Sequence, residues 1–152
     1  MTAACCDPNE DAKLKEPTNI KLVVSIVLIN EEGNILIAKR PKGSHMGEYW
    51  EFPGGKVHDK ETPESAVIRE AKEELGVSTC AGCLLPLTFV SHPYDDFHLM
   101  MPIFACRNWE GEVVGAEGQE IKWIAVNTLK DYPMPPANRK IIGMVRDLLG
   151  SS

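Results

Sequence analysis

The sequence predicts an α+β domain in which helices lie on a mixed β-sheet. Apolar, β-branched runs of strand length recur along the chain, and two segments carry a helical period instead. The order is strands, helix, strands, helix, which differs from the regular alternation of repeated βαβ units. With 152 residues, 43% of them hydrophobic, the chain is long enough to bury a core.

The first predicted strands lie on either side of a short turn. Lys21–Ile29 has the composition of a buried strand, 30–34 that of a turn, and 35–40 that of a second strand. These two strands are therefore expected to pair as a hairpin. The next segment, WEFPGG, is expected to be a short strand that runs into a glycine turn.

Charge and composition limit the partners and the location. A formal net charge of -6 argues against a nucleic-acid polymer as partner, since phosphate backbones bind basic surfaces. The longest apolar run, at 22–29, is too short to cross a membrane and the N-terminus lacks an apolar export signal, so a cytoplasmic location without membrane contact is expected. Residues 1–19 are polar and interrupted by Pro8 and Pro17, which predicts a flexible extension ahead of one domain over 20–152.

The first helix has clear boundaries in the sequence. Thr62 is the expected N-cap and Pro63 suits the first helical position. Glu64 lies favourably near the positive end of the helix dipole, and Gly76 is expected to end the helix. Further strands are predicted in CLLPLTFV, HLMMPIFACR and EIKWIAV, and the apolar period of PANRKIIGMVRDLL predicts the last helix.

Five cysteines, an odd number, favour a reducing compartment. Cys80 and Cys83 form a C-x-x-C pair, for which a metal or redox role must be weighed. A structural zinc site needs four ligands, and no second pair occurs at a usual spacing. Redox pairs of this kind usually open a helix after a strand, whereas this pair precedes the apolar LLPLTF. Incidental reduced thiols are the favoured interpretation, as for Cys5 and Cys6.

A cluster of glutamates dominates the first predicted helix. At about 100° per residue, Glu70, Glu73 and Glu74 share one side of the helix, which is expected to face away from the core. The residues expected to pack on the sheet are Ile68, Ala71 and Leu75. The glutamates repel one another, and an Arg69–Glu73 pair or a bound cation would offset the repulsion. Oxygen ligands without His or Cys favour Mg²⁺ or Mn²⁺, although glutamates clustered on a helix are more often a solvated face.

The spacing of these residues resembles a known signature. From Gly55 the chain matches G-x5-E-x7-R-E-U-x-E-E-x-G-U, the Nudix box of the Nudix hydrolases. The matching residues are Gly55, Glu61, Arg69, Glu70, Ala71, Glu73, Glu74, Gly76 and Val77. Ala71 is smaller than the bulky aliphatic residue usual at its position, a difference that concerns packing. The resemblance implies a mixed β-sheet sandwiched between helices, and Mg²⁺- or Mn²⁺-dependent hydrolysis of a nucleoside diphosphate linked to another group.

The resemblance also implies roles for the residues of the box. Arg69 corresponds to the residue that orients the glutamates, and Glu61 to a supporting acid. Cations would neutralise a polyphosphate and lower the pKa of a bound water for in-line attack, with Glu70 or a carboxylate outside the box as general base. The residues that correspond to metal ligands are Gly55, through its backbone carbonyl, and Glu70, Glu73 and Glu74.

Outside the box, residues 22–149 resemble the MutT branch of the family, the 8-oxo-dGTP diphosphatases. The matching segments are WEFPGGKV, NWEGEVVGAEGQE and YPMPPAN. By this resemblance Glu117 corresponds to a further metal-linked or catalytic glutamate, Arg40 to a substrate-contacting arginine, and Asn138 to the asparagine that reads the purine. Oxidation at C8 turns guanine N7 from an acceptor into a donor, which an amide oxygen distinguishes.

These last three residues also have structural interpretations. Arg40 is consistent with a strand-end charge, Glu117 with a turn residue, and Asn138 with the N-cap of the last helix. The segment 89–99 departs from the MutT pattern in a region that helps enclose the base. Other candidate site residues are interpreted as strand or loop histidines and as packing aromatics. They are His92, His98, Trp50, Trp109 and Trp123.

Three functions remain open from the sequence. The first is a sanitising enzyme, a monomer or weak dimer, that hydrolyses 8-oxo-dGTP to the monophosphate and pyrophosphate and so prevents mutation. The second is a Nudix hydrolase of an ordinary nucleoside triphosphate, a dinucleoside polyphosphate or a nucleotide sugar. The third is a nucleotide-binding module without turnover, which is disfavoured because binding alone does not require Glu70, Glu73 and Glu74 together.

Overall fold

A computed structural model describes residues 18–150 of the chain. Most of the predicted N-terminal extension, with Cys5 and Cys6, therefore lies outside the described residues. Short 3₁₀ helices occur at Ala81–Cys83 and Val126–Asp131. The strands and α-helices are β1 Ile20–Leu28, β2 Ile35–Lys39, β3 Trp50–Glu51, β4 Gly54–Lys56, α1 Pro63–Leu75, β5 Leu84–Pro93, β6 His98–Cys106, β7 Ile121–Ile124 and α2 Pro136–Leu149.

The strands form two sheets, which confirms the predicted α+β class. A four-stranded mixed sheet has the order β4-β1-β6-β5, with β1 parallel to β6 and antiparallel to β4. A three-stranded antiparallel sheet has the order β3-β2-β7. The mixed sheet expected from the sequence is thus joined by a second, smaller sheet.

The predicted hairpin between the first two strands is wrong. β1 and β2 belong to different sheets, and the only β-type pairing between their ends is an isolated bridge between Ile29 and Ile35. Both edges of β1 are already occupied, because it pairs with β4 on one side and β6 on the other. A short turn between two strands therefore connects sheets here instead of closing a hairpin.

The predicted glycine turn is also wrong, because Gly54 and Gly55 form β4. These residues pair antiparallel with Ser25 and Val24 of β1. Gly54 lies so close to β1 that a Cβ at this position would collide with the Val24 backbone. The glycines therefore permit a close strand contact, which any side chain would prevent.

Two apolar clusters cover the faces of the four-stranded sheet, one under each α-helix. Successive β1 side chains point to opposite faces, so Ile26 packs on the α1 side and Val27 on the α2 side. α1 contributes Ala71 and Leu75 to the first cluster, and α2 contributes Ile141 to the second. The strands are therefore sandwiched between the helices, as expected.

The helix boundaries agree with the sequence analysis. The Thr62 side chain accepts a hydrogen bond from the Ser65 N–H, Pro63 opens α1, and Gly76 ends it in the left-handed conformation. α2 spans the predicted segment from Pro136. Within residues 18–150, no helix has the length and hydropathy needed to span a bilayer.

Candidate active site

Arg69 is the centre of a hydrogen-bond network on α1. Its Nε and Nη2 donate to the two carboxylate oxygens of Glu61 at 2.8 and 2.9 Å. Its Nη1 donates to Glu70 at 2.7 Å and to Glu73 at 3.2 Å, and its Nη2 also reaches the Lys56 carbonyl at 2.9 Å. The bonds from Arg69 are the main reason that the pKa of Glu61 falls to about 2. One guanidinium therefore fixes three carboxylates, including the Arg69–Glu73 pair predicted from the sequence.

Glu74 lies in different surroundings. Its side chain is partly buried, and its Oε2 accepts a hydrogen bond of 3.3 Å from the Gly54 N–H. Burial raises its pKa to about 8, and the charges of Glu70, Glu117 and Glu51 add to this shift. None of the ion pairs found among residues 18–150 includes Glu74. A cation supplied from outside the chain would therefore relieve this carboxylate.

The predicted outward orientation is wrong for two of the three glutamates. The Glu73 side chain is 53% exposed, but that of Glu70 is 12% exposed, and Glu74 is partly buried. α1 packs on the edge strand β4 as well as on its neighbour β1, so the helix side that carries Glu70 and Glu74 faces the glycine strand. A Cβ at Gly55 would collide with the Glu70 carboxylate, so glycine is needed for this approach.

The loop before β7 brings Glu117 to the same cluster. The Ala116 N–H donates to the Glu74 carbonyl at 2.9 Å, and the Gln119 side-chain amide donates to the same carbonyl at 2.8 Å. The last carbonyls of a helix lack partners within it, so the loop satisfies one end of α1. Glu117 itself is exposed, and its charge is one cause of the raised pKa of Glu74. The structure therefore places this predicted residue beside the box.

Arg40 directly follows β2 and faces Glu51 of β3. Its Nη1 donates to Glu51 at 2.7 Å, and its Nε donates to the His45 carbonyl at 2.8 Å. Burial raises the pKa of Glu51, and the Arg40 charge opposes that shift. Arg40 and Glu117 line one cleft of about 320 Å³, so two predicted site residues share a depression.

Asn138 lies in the first turn of α2 and is 7% exposed. Its Oδ1 accepts a hydrogen bond of 3.3 Å from the Phe52 N–H. The N-cap of α2 is Pro135, with no side-chain cap bond, so the interpretation of Asn138 as an N-cap is wrong. Because Phe52 shortly precedes Gly54, this bond ties the amide to the segment that continues into the glycine strand.

The sequence analysis missed Glu51. This residue pairs with Arg40, and its charge contributes to the raised pKa of Glu74. Its position in WEFPGG, just ahead of the glycines, was the available signal. Pairing of Glu51 with Ala38 of β2 is what directs it toward Arg40, and that register is a tertiary feature.

The histidines and tryptophans behave as expected. His92 lies in β5 and His98 in β6, where the His98 ring bonds to the Ser91 hydroxyl at 2.6 Å. Trp50 is buried in the core, and the rings of Trp109 and Trp123 stack with centroids 6.0 Å apart. These aromatic side chains are packing residues.

The carboxylates suit a hard divalent cation in their chemistry. Their donors are all oxygens, and the raised pKa of Glu74 shows that burial and neighbouring acids disfavour its ionised form, which a cation would stabilise. Within residues 18–150, no group of three or more His, Cys, Asp or Glu side chains already converges as a metal site. Arg69 holds Glu70 and Glu73, and Gly54 holds Glu74, so these side chains would have to turn toward the ion.

Known proteins resemble this chain in sequence and in fold. Residues 24–144 match the family model of the NUDIX domain. The 8-oxo-dGTP diphosphatase of Escherichia coli (strain K12) is 36% identical over 129 residues, covering 84% of this chain and 98% of that protein. The CTP pyrophosphohydrolase of the same strain is 31% identical over 117 residues, covering 76% and 84%. The crystal structure of a MutT NUDIX hydrolase from Burkholderia pseudomallei matches with a TM-score of 0.74 at 29% identity, covering 84% and 98%.

Proposed function

The chain belongs to the Nudix family of hydrolases, and we propose that it hydrolyses 8-oxo-dGTP to 8-oxo-dGMP and pyrophosphate. This reaction would remove a mutagenic nucleotide before DNA replication. The observation that carries the proposal is the hydrogen bond from the Phe52 N–H to Asn138, since Phe52 lies two residues before Gly54 and Gly55, which pass beside the glutamates. The base and the polyphosphate of one nucleotide would thus contact the two ends of a single short segment.

The acid cluster would bind the polyphosphate through divalent cations, for which we propose Mg²⁺ or Mn²⁺. When bound, such ions neutralise phosphate charge and lower the pKa of a water molecule. Arg69 would act by positioning, because it holds Glu70 and Glu73 at once while Glu61 holds Arg69. The proposed metal ligands are the carboxylates of Glu70, Glu73, Glu74 and Glu117 and the backbone carbonyl of Gly55.

Glu70 is the proposed general base, with Glu117 as the alternative outside the box. Glu70 is well covered and accepts one hydrogen bond from Arg69, which leaves lone pairs on its carboxylate for a water proton. Glu117 is exposed in the cleft that it shares with Arg40. Its electrostatic effect on Glu74 supports a place close to the same reacting phosphate.

Asn138 would read the oxidised base. Its Oδ1 accepts one hydrogen bond from Phe52, and a carbonyl oxygen has a second lone pair that suits the N7–H of 8-oxoguanine. Ordinary guanine presents an acceptor at N7, which would leave two acceptors facing each other. Such an unpaired buried group costs at least ~1.4 kcal/mol, which corresponds to a preference of about tenfold. We propose Arg40 as a second substrate contact.

A substrate panel with Mg²⁺ tests the proposal. The values of kcat/KM for 8-oxo-dGTP, dGTP, CTP and a dinucleoside polyphosphate are compared on the wild-type chain. We expect 8-oxo-dGTP to be preferred over dGTP by at least about tenfold. A smaller preference would contradict the sanitising function while leaving Nudix hydrolysis intact.

Variants of Asn138 test the base contact within the same panel. Asn138→Ala should reduce the preference for 8-oxo-dGTP over dGTP several-fold, because the acceptor is lost. Asn138→Asp keeps an oxygen acceptor and should retain more of the preference than the alanine variant. Asn127→Ala, at an exposed position, is the matched control and should leave the preference for 8-oxo-dGTP over dGTP unchanged. Equal preferences in all four proteins would contradict the role of Asn138.

A second candidate is hydrolysis of another nucleoside triphosphate. The likeness to a CTP pyrophosphohydrolase favours it, and turnover of CTP above that of 8-oxo-dGTP would decide for it. Turnover of none of the substrates would favour a nucleotide-binding module. We further propose that the protein acts on the cytoplasmic nucleotide pool as a monomer or weak dimer.

A further inference from the structure

Cys80 and Cys83 lie with their sulfur atoms 3.1 Å apart, in the segment that connects α1 to β5. Cys80 immediately precedes the 3₁₀ helix and Cys83 is its last residue. The role proposed above for the glutamates leaves these two thiols without a function. Their proximity was not evident from the sequence, where a strand was expected to begin at Cys83.

The backbone of this segment suits a disulfide. The Cys83 N–H donates to the Cys80 carbonyl at 2.9 Å, which closes a turn between the two residues. Such a turn holds the two ends of the segment near each other. A disulfide bond is about 2 Å long, so the two sulfur atoms need to approach by only about 1 Å from their present separation of 3.1 Å.

The two thiols are accessible and chemically unequal. Cys80 is exposed and Cys83 is partly exposed. Hydrogen bonds from the Cys83 thiol and from backbone N–H groups lower the pKa of Cys80, whereas the same thiol contact raises the pKa of Cys83. Cys80 is therefore the better nucleophile of the pair, and Cys83 is placed to attack the sulfur of Cys80.

A cleft of about 360 Å³ opens beside the pair. Both cysteines line it, together with the hydroxyl residues Ser78 and Thr79 and with Asn108. A small molecule in this cleft would lie against both cysteines and beside polar residues. The third described cysteine, Cys106, is buried and lies outside this set.

We propose that Cys80 and Cys83 form a redox-active dithiol that exchanges with small-molecule disulfides such as oxidised glutathione. The Cys80 thiolate attacks one sulfur of the disulfide, and the other sulfur leaves as a thiolate. Cys83 then loses its proton and attacks Cys80 Sγ, which releases the second sulfur as a thiolate. The protein pair loses two electrons and two protons and becomes a disulfide, while the small disulfide becomes two thiols.

The test uses the full chain with Cys5→Ser and Cys6→Ser, so that the thiols at 80, 83 and 106 remain. The protein is incubated with a fixed ratio of oxidised to reduced glutathione, trapped by alkylation and mapped by mass spectrometry. We expect a Cys80–Cys83 disulfide with no glutathione retained. In Cys83→Ser, glutathione should remain on Cys80, because the variant has no neighbouring protein thiol to displace it and Cys106 is buried. In Cys80→Ser, glutathione should modify Cys83 at least about threefold more slowly than it modifies Cys80 in Cys83→Ser.

The Cys83→Ser variant also shows whether Cys80 is the attacking thiol. If glutathione modifies Cys80 in this variant but the parent protein retains the adduct or keeps both thiols, the pair does not exchange as proposed. If Cys80 in the variant is not modified, Cys80 is not the nucleophile and the proposal is equally overturned. Thermal melts of each variant establish that the fold is retained. The outcome does not depend on the nucleotide that the enzyme hydrolyses.

Discussion

α1 holds its acidic side chains in two different electrostatic surroundings. On the Arg69 side, Glu61, Glu70 and Glu73 all accept hydrogen bonds from one guanidinium, and the pKa of Glu61 is lowered to about 2. On the Glu74 side, burial and neighbouring acids raise the pKa of Glu74 to about 8. The chain thus stabilises one group of carboxylates itself, namely Glu61, Glu70 and Glu73 around Arg69. It leaves Glu74 to be stabilised by a ligand.

This difference separates positioning from binding. Arg69 fixes side chains before any ligand arrives, which reduces the cost of ordering them later. Glu74 is placed where its negative charge is costly to the free protein, so a divalent cation gains affinity by relieving that cost. Glu70 links the two surroundings, since it accepts a hydrogen bond from Arg69 and its charge also contributes to the raised pKa of Glu74.

The largest effect is expected from Glu70→Gln, which breaks the link between the two groups. The amide oxygen still accepts a hydrogen bond from Arg69, so the fold should be retained. We expect kcat for 8-oxo-dGTP to fall by about 10²–10⁴-fold, because a neutral amide is neither a base nor a strong metal ligand. Glu112→Gln, at an exposed position, serves as the control. A Glu70→Gln enzyme with undiminished kcat would refute the assignment.

The next effect is expected from Glu74→Gln in metal-free protein. The unfolded carboxyl releases its proton near pH 4.5 and the folded one near pH 8, so the free energy of unfolding falls as pH rises between these values. The amide variant lacks this loss and should be more stable than wild type by about 1–3 kcal/mol at pH 8. Denaturant unfolding at pH 5 and pH 8 in a chelating buffer measures the difference.

Addition of Mg²⁺ completes that comparison. A concentration about 100-fold above Kd should stabilise the wild type by about 2.7 kcal/mol, and Glu74→Gln by much less. At one fixed Mg²⁺ concentration, the gain in the free energy of unfolding should be larger at pH 8 than at pH 5, because protons compete with the ion at the lower pH. If wild type and Glu74→Gln gained equally, Glu74 would not be a ligand.

A smaller effect is expected from Arg69→Lys, which weakens the hydrogen bonds that hold Glu61, Glu70 and Glu73. A lysine keeps the charge but cannot match the bidentate contact with Glu61 while reaching Glu70 and Glu73. We expect a loss of about 1–3 kcal/mol in the free energy of unfolding, measured in denaturant at pH 7. Arg107→Lys, at an exposed position, should lie within about 0.5 kcal/mol of wild type. A loss no greater than that of the control would show that Arg69 does not organise the network.

The smallest effect concerns the acid limb of stability. Because the pKa of Glu61 falls from 4.5 to about 2 on folding, its contribution is complete above pH 4.5 and is lost as pH falls through about 2. Glu61→Gln should therefore lower Tm at pH 6 and flatten its decline in acid. Scanning calorimetry between pH 2 and pH 6 checks this, with Glu112→Gln as the reference. If Tm declined with falling pH equally in the two variants, the lowered pKa of Glu61 would be contradicted.

Local features of the fold were predictable because they depend on neighbours in sequence. The Thr62 cap, the Pro63 start and the Gly76 stop of α1 all follow from capping chemistry within one turn. The extent of α2 from Pro136 was equally readable from its apolar period. The pairing of β1 with β6 was not readable, because strands choose partners by packing over long separations.

The sequence by itself determined which acids stand together, because helix geometry places Glu70, Glu73 and Glu74 on one side whatever surrounds them. Only the tertiary structure decided what each acid experiences. The surroundings of Glu74 depend on Gly54 and Glu117, which lie far from it along the chain and reach it through β4 and the loop before β7. Burial and charge are sums over spatial neighbours, so the pKa of a carboxylate is a property of the fold.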